Sequence, residues 1–214
     1  ELRQRLPVRG AERDAQRRPR RLPRIAHRDR NRLQLLLADR LQRDGHKVRI
    51  LDIRSGDLVC EYIEGDILSE VDVDRAVKGV DGIFHVAAVV GFWKGKRAWQ
   101  RSVNVDGTRN VMLAALKHNV PRIVYTSTIN TLGFVATESD IGDENTAYNW
   151  GPLDVSYMET KHEAEQLVIG LVRQSALPAT IVNPGTIFGG MGTIGMNANR
   201  YIELIRARQM PAYP

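Results

Sequence analysis

The chain has 214 residues, of which 43% are hydrophobic and 26% charged, enough for one substantial α/β domain with a full core. Its net charge of +6 belongs to the first 34 residues, which carry 12 arginines and four acidic side chains; the other 180 hold 19 basic and 21 acidic residues, so no nucleic-acid partner is expected. The longest uncharged runs are too short and too polar to span a bilayer, no apolar leader is present, and the single cysteine cannot close an internal disulfide, all of which favours a cytoplasmic protein without a membrane partner.

Residues 1–34 show neither a helical nor a strand period, and their Arg/Pro/Gln bias predicts disorder. Order begins abruptly after them. Leu35–Asp44 reads as the end of an amphipathic helix that Gly45 stops. Strand-like runs follow at Lys47–Ile53, Cys60–Glu64, Gly82–Ala88, Arg122–Ser127 and Ala179–Asn183. Cys60 is expected to be a buried strand residue rather than a reactive thiol. Helical patterns lie between the strands at Val71–Val80, Ala98–His118 and Ser156–Gln174; in the last, Ala164, Leu167, Val168, Leu171 and Val172 share one face. Strands alternating with helices of this length predict right-handed crossovers and a parallel, Rossmann-type doubly wound α/β sheet.

Several positions carry chemistry in such a sheet. Asp52 ends a strand where a dinucleotide-binding unit places an acidic residue on the adenosine ribose, and its charge disfavours a 2′-phosphate; a surface Asp in a turn fits the same pattern, and Arg54 keeps NADP open beside NAD. In Glu64-Gly65-Asp66-Ile67, Asp66 is placed to meet an adenine amino group and Ile67 to cover the ring, although Gly-Asp is also a common turn. Val86, Ala87 and Ala88 are small enough at a strand's carboxyl end to let a flat cofactor approach. His85, with no second ligand at metal spacing, reads as a structural histidine, and no metal is expected. The most specific constellation is Tyr125-Thr126-Ser127-Thr128 at a strand end followed by Tyr157 and Lys161 opening a helix. Four residues apart, Tyr157 and Lys161 share a helix face, and an ammonium near a phenol makes the tyrosine a usable acid/base.

Together with Val103-Asn104-Val105-Asp106-Gly107-Thr108 and Asn183-Pro184-Gly185, these motifs resemble, in order and spacing, the extended short-chain dehydrogenase/reductases. The likeness is greatest to the dihydroflavonol-reductase-like and 3β-hydroxysteroid-dehydrogenase-like branch of the NAD-dependent epimerase/dehydratase group. It covers about residues 35–214. The resemblance implies that Tyr157 is the catalytic acid/base and that Lys161 binds the nicotinamide ribose and lowers the Tyr157 pKa. It implies that Asn104 lies in the helix supporting the active site and that Pro184 and Gly185 lie beside the nicotinamide. The family's catalytic serine, five residues before the glycine that is Gly133 here, maps to Thr128. Phe92, Trp93, Tyr148 and Trp150 fall in loops that shape the substrate pocket of such proteins, or else are ordinary exposed or core aromatics. The implied reaction is hydride transfer between NAD(P) and a secondary alcohol or ketone, with a small-molecule substrate and room for a homodimer. A nucleotide-sugar epimerase or dehydratase and a non-catalytic nucleotide-sensing protein are the alternatives.

Two departures accompany the resemblance. The family opens with a strand and a Gly-rich turn that cradles the pyrophosphate; the corresponding window here, Arg28-Asp29-Arg30-Asn31-Arg32-Leu33-Gln34, has no glycine. Residues 1–34 are therefore expected to be an out-of-frame or fused segment, leaving the sheet short of its first strand, and the chain is expected to hold only the start of a substrate lobe.

Overall fold

The computed structural model describes residues 32–54, 59–91, 95–135, 137, 140–187 and 204–209. Helix α1 (Arg32–Arg43) ends at Gly45, whose φ of +88° and N–H bond to the Gln42 carbonyl turn the chain out of the helix into β1 (Arg49–Asp52). β2 (Glu61–Glu64) follows, then α2 (Glu70–Val77), which Ser69 caps by accepting the Asp72 N–H. After β3 (Ile83–His85) come α3 (Arg97–Arg101), a π-helical turn (Ser102–Gly107) and α4 (Thr108–Lys117). β4 (Ile123–Thr126), α5 (Ser156–Ser175) and β5 (Ala179–Val182) complete the unit.

Every strand pairing is parallel. β1 pairs with β2, Arg49 opposite Glu61 and Asp52 opposite Glu64; β4 lies between β3 and β5, so that Ile83, Ile123 and Ala179 stand abreast. The main core packs β4, through Ile123 and Tyr125, against Val111, Met112 and Ala115 of α4 and Ala164 and Val168 of α5, with Val73 and Val77 of α2 beside them. This is a Rossmann-type α/β arrangement with one irregularity. Among the described residues no strand lies between β1 and β3, and a cavity of about 810 Å³ stands there instead. Ile50 and Leu51 line one side, Ile83 and Phe84 the other, and Leu37 and Leu41 of α1 cover it.

The strands are shorter than the hydrophobic pattern predicts. β3 stops at His85, so Val86, Ala87 and Ala88 form the loop leaving it rather than the strand's end. Cys60 lies just before β2, half-buried and hydrogen-bonded to Tyr62 rather than within the strand, and burial pushes its thiol pKa up. The expected helix 98–118 is interrupted by the π turn, and α1 reaches back to Arg32, ahead of the expected Leu35.

Candidate active site

From Thr126 the chain turns through Ser127 and Thr128, both buried, into a 3₁₀ turn (Ile129–Thr131). The Thr128 hydroxyl accepts the Asn130 N–H (3.4 Å) and hydrogen-bonds the Tyr157 phenol. Tyr157 stands in the first turn of α5, and Lys161 follows one turn later on the same face. Contacts to α3 hold this end of α5: Arg97 bridges Glu159 (2.8 Å) and Asp154, and Arg101 grips the Glu163 carboxylate with two nitrogens. The structure thus brings Thr128, Tyr157 and Lys161 together from two elements far apart in sequence.

The electrostatics differ from expectation in one respect. Lys161 was expected to depress the Tyr157 pKa; burial instead raises it, and the Thr128 hydrogen bond only offsets part of that. The Lys161 ammonium is turned toward β4. Lys161 Nζ donates to the Tyr125 phenol oxygen (2.8 Å) and to the Thr126 carbonyl (2.9 Å), and lies 4.4 Å from the centre of the Tyr125 ring. Burial lowers the Lys161 pKa to about 8, an effect that the Glu165 charge opposes.

Asn104 occupies the π turn and is 1% exposed. Its side chain accepts the Val89 N–H (2.7 Å) and donates to the Val89 carbonyl (3.1 Å) and Thr160 hydroxyl (3.0 Å). It therefore ties the loop that leaves β3 to α5, beside Lys161. Pro184 is brought to the same place, because its carbonyl accepts the Ile129 N–H (3.0 Å). A side chain at Gly185 would meet nothing within 4 Å among the described residues.

Asp52 and Asp66 lie on the far side of the strand gap. Asp52 ends β1, where its carboxylate accepts the Arg54 N–H (3.1 Å) and burial raises its pKa. Asp66 is exposed after β2 and accepts the Leu68 N–H (3.0 Å), closing a turn; Ile67 packs on Gly107. Phe92 and Trp93 lie outside the described residues. Tyr148 stacks on His162 of α5 (ring centres 4.1 Å apart), while Trp150 packs on Phe134 (4.9 Å) and donates to the Leu132 carbonyl (2.6 Å). Gly133 lets that aromatic loop approach: a Cβ there would stand 1.9 Å from the Ala147 carbonyl oxygen, a contact only glycine permits.

Residues that the motifs did not single out complete the site. Glu165, one turn beyond Lys161 and 6% exposed, accepts from Asn183 Nδ2 (2.7 Å) and lies 2.8 Å from the Thr131 hydroxyl. Its signal was present in the sequence: a carboxylate between Ala164 and Val168 interrupts the apolar face of α5. Thr108 donates to the Asn104 carbonyl (2.6 Å) and lies 2.9 Å from His85 Nε2.

A parallel sheet ending in a hydroxyl, with a Tyr-xxx-Lys helix laid beside it, defines an extended short-chain dehydrogenase/reductase. The family model of the 3-beta hydroxysteroid dehydrogenase/isomerase family matches residues 34–207, and the chain belongs to that family. It is 33% identical over 155 residues to a 3-beta-hydroxysteroid dehydrogenase from Mycolicibacterium neoaurum, covering 68% of this chain and 42% of that one. Among solved structures, gox2253 superposes with a TM-score of 0.70 at 34% identity, covering 82% of this chain and 55% of that one. A short-chain dehydrogenase/reductase superfamily protein from Agrobacterium tumefaciens, solved with bound NAD, superposes at 0.57 with 25% identity, covering 70% and 44%. The chain spans about half the length of the curated relatives it matches. No helix among the described residues is long and apolar enough to cross a membrane.

Proposed function

We propose that the protein of which this chain forms the cofactor-binding part is an NAD(P)-dependent oxidoreductase acting on a secondary alcohol or ketone. The Thr128–Tyr157 hydrogen bond, with Lys161 one helical turn away, is the observation that carries this reading. The residues at the nicotinamide end suit the cofactor: among the described residues, Lys161 keeps an N–H beyond its two hydrogen bonds, and a side chain at Gly185 would meet nothing within 4 Å. At the adenine end Asp52, Asp66 and Ile67 would hold the nucleoside, with Val86, Ala87 and Ala88 lining the crevice between the two ends. The pyrophosphate cradle has no counterpart among the described residues. Bound there, the nicotinamide supplies the hydride acceptor or donor.

The chain's own residues manage the proton. Burial keeps Tyr157 a phenol at neutral pH, the form that can donate to a carbonyl oxygen as it becomes an alkoxide. Thr128 then shares the hydrogen bond to that oxygen, and the Lys161 charge one turn away favours the phenolate left behind. In the oxidative direction the same phenol must first lose its proton, so oxidation is expected to accelerate with rising pH while reduction slows. Tyr157→Phe, in a chain built with the family's first strand, Gly-rich turn and substrate lobe, should lower turnover by at least roughly 10²-fold. Near-normal turnover in that variant would remove Tyr157 from the mechanism.

NAD is the proposed cofactor in preference to NADP, because the Asp52 carboxylate at the end of β1 would repel a 2′-phosphate. Titrating both nucleotides, followed by calorimetry, should show tighter binding of NAD. Tighter NADP binding would transfer the role to Arg54.

A further inference from the structure

We propose that Tyr125 is a positioning residue for Lys161: its phenol oxygen and ring face, fastened from below by Thr108 and His85, hold the ammonium one helical turn from Tyr157. The proposal rests on the reading of Tyr157 and Lys161 as the reacting pair and adds to it the device that fixes the lysine.

Lys161 is 2% exposed, and no carboxylate among the described residues lies within 4.0 Å of its nitrogen. A buried ammonium without an ion pair must be satisfied by neutral acceptors or give up its proton. The groups around it come from three strands and helices. Glu165 on its own helix is taken up by Thr131 and Asn183; His85 at the end of β3 is a second base, not a counter-ion; Tyr157 is bonded to Thr128. That leaves Tyr125 and the Thr126 carbonyl on β4 as the two acceptors that Lys161 actually uses. Tyr125 contributes twice, through its oxygen at 2.8 Å and through the negative face of its ring at 4.4 Å.

The phenol is itself held in place. Tyr125 is fully buried at the centre of the core and meets the hydroxyls of Thr108 and Ser127. The single Thr108 proton goes to the Asn104 carbonyl at 2.6 Å, so His85 donates its Nε2–H to Thr108, and the imidazole stacks against the Tyr125 ring with centres 5.8 Å apart. Burial drives the Tyr125 pKa far above the tyrosine range, so its oxygen stays a neutral acceptor and does not compete with Tyr157 as an acid. Two of the three Lys161 N–H groups are committed to β4, and the third, without a partner among the described residues, remains for a ligand.

The test reads the lysine rather than turnover. In the chain labelled with ¹³Cε-lysine, the Lys161 resonance is assigned with Lys161→Arg and titrated by NMR. Tyr125→Phe keeps the ring and removes the oxygen; the Lys161 midpoint should fall by roughly one pH unit, the usual scale for losing a hydrogen bond to a charged group. Thr108→Val leaves the phenol in place but unfastened, and should move the midpoint in the same direction by less. An unmoved midpoint in a Tyr125→Phe protein that retains its circular dichroism overturns the proposal and reduces Tyr125 to a packing residue. If Tyr125→Phe does not fold, Thr108→Val decides in the same way. Normal turnover in Tyr157→Phe would defeat the reacting-pair reading while leaving this anchoring of Lys161 intact, so the two failures are distinguishable.

Discussion

The His85 imidazole is fully enclosed between β4 and α4, and burial, together with the neighbouring Lys161 charge, pulls its pKa down to about 3. In the unfolded chain it titrates near the ordinary 6.5. Between those two values the unfolded state binds the proton and the folded state does not, so stability falls as pH drops from about 6.5 toward 3, by at most roughly 1.4 kcal/mol per pH unit. His85→Gln keeps a donor for Thr108 without the titration. Urea unfolding at pH 7 and pH 5 should show the parent losing more stability than this variant; equal losses would mean that the ring is charged or solvated in the fold. At this scale the sequence was informative about residue type and silent about partners. Tyr157 and Lys161 stood out by their spacing after a hydroxyl-rich strand end, and Thr128 through the resemblance, which maps the family's serine onto it. Tyr125, although part of that strand-end motif, and Glu165, although it breaks the apolar face of α5, give no sign of their partners until the other elements close over them.

The π turn shows the same division among the elements. The apolar pattern predicts helix across 98–118; Ser102–Gly107, with two valines, an asparagine, an aspartate and a glycine, is its weakest helix-forming stretch, but only the fold shows the π turn there that presents Asn104 to both Val89 and Thr160. That distortion is held by tertiary bonds rather than by helix propensity. α5 ends on a comparable local cost: Ala176 adopts φ +51° at its C-terminus, with its N–H bonded to the Leu171 carbonyl. A left-handed alanine carries a steric penalty that glycine avoids. Ala176→Gly should therefore stabilise the protein by roughly 0.5–1 kcal/mol, read as a rise in the denaturation midpoint. A loss of stability would mean that the alanine methyl contributes packing that outweighs its backbone strain.

Across the whole molecule the governing feature is the gap between β1 and β3. Each of these strands has a described partner on one side only, and parallel edges facing a cavity of about 810 Å³, with Ile50, Leu51, Ile83 and Phe84 among its lining, favour a strand running in the same direction. Replacing residues 1–31 with a short apolar strand followed by a Gly-x-x-Gly-x-x-Gly turn should join the two sheets and raise the melting temperature by at least roughly 5 °C, the equivalent of a few kcal/mol for a domain of this size. It should also restore tight nucleotide binding. An unchanged melting temperature would show that the gap is already filled or tolerates no strand.

The sequence by itself determined the class of fold and the placing of Tyr157 and Lys161 on one helix face. The alternation of period-2 and period-3.6 hydrophobic patterns leads to a parallel α/β sheet, and the Tyr-xxx-Lys spacing puts two side chains on one helix face whatever surrounds them, because both follow from backbone geometry alone. What only the tertiary structure decided is where the Lys161 ammonium rests, which neutral groups hold it, and that the Tyr157 pKa rises rather than falls. Those depend on burial and on bonds between β3, β4, α4 and α5, residues scores of positions apart, and desolvation is a property of the closed fold that no local pattern encodes.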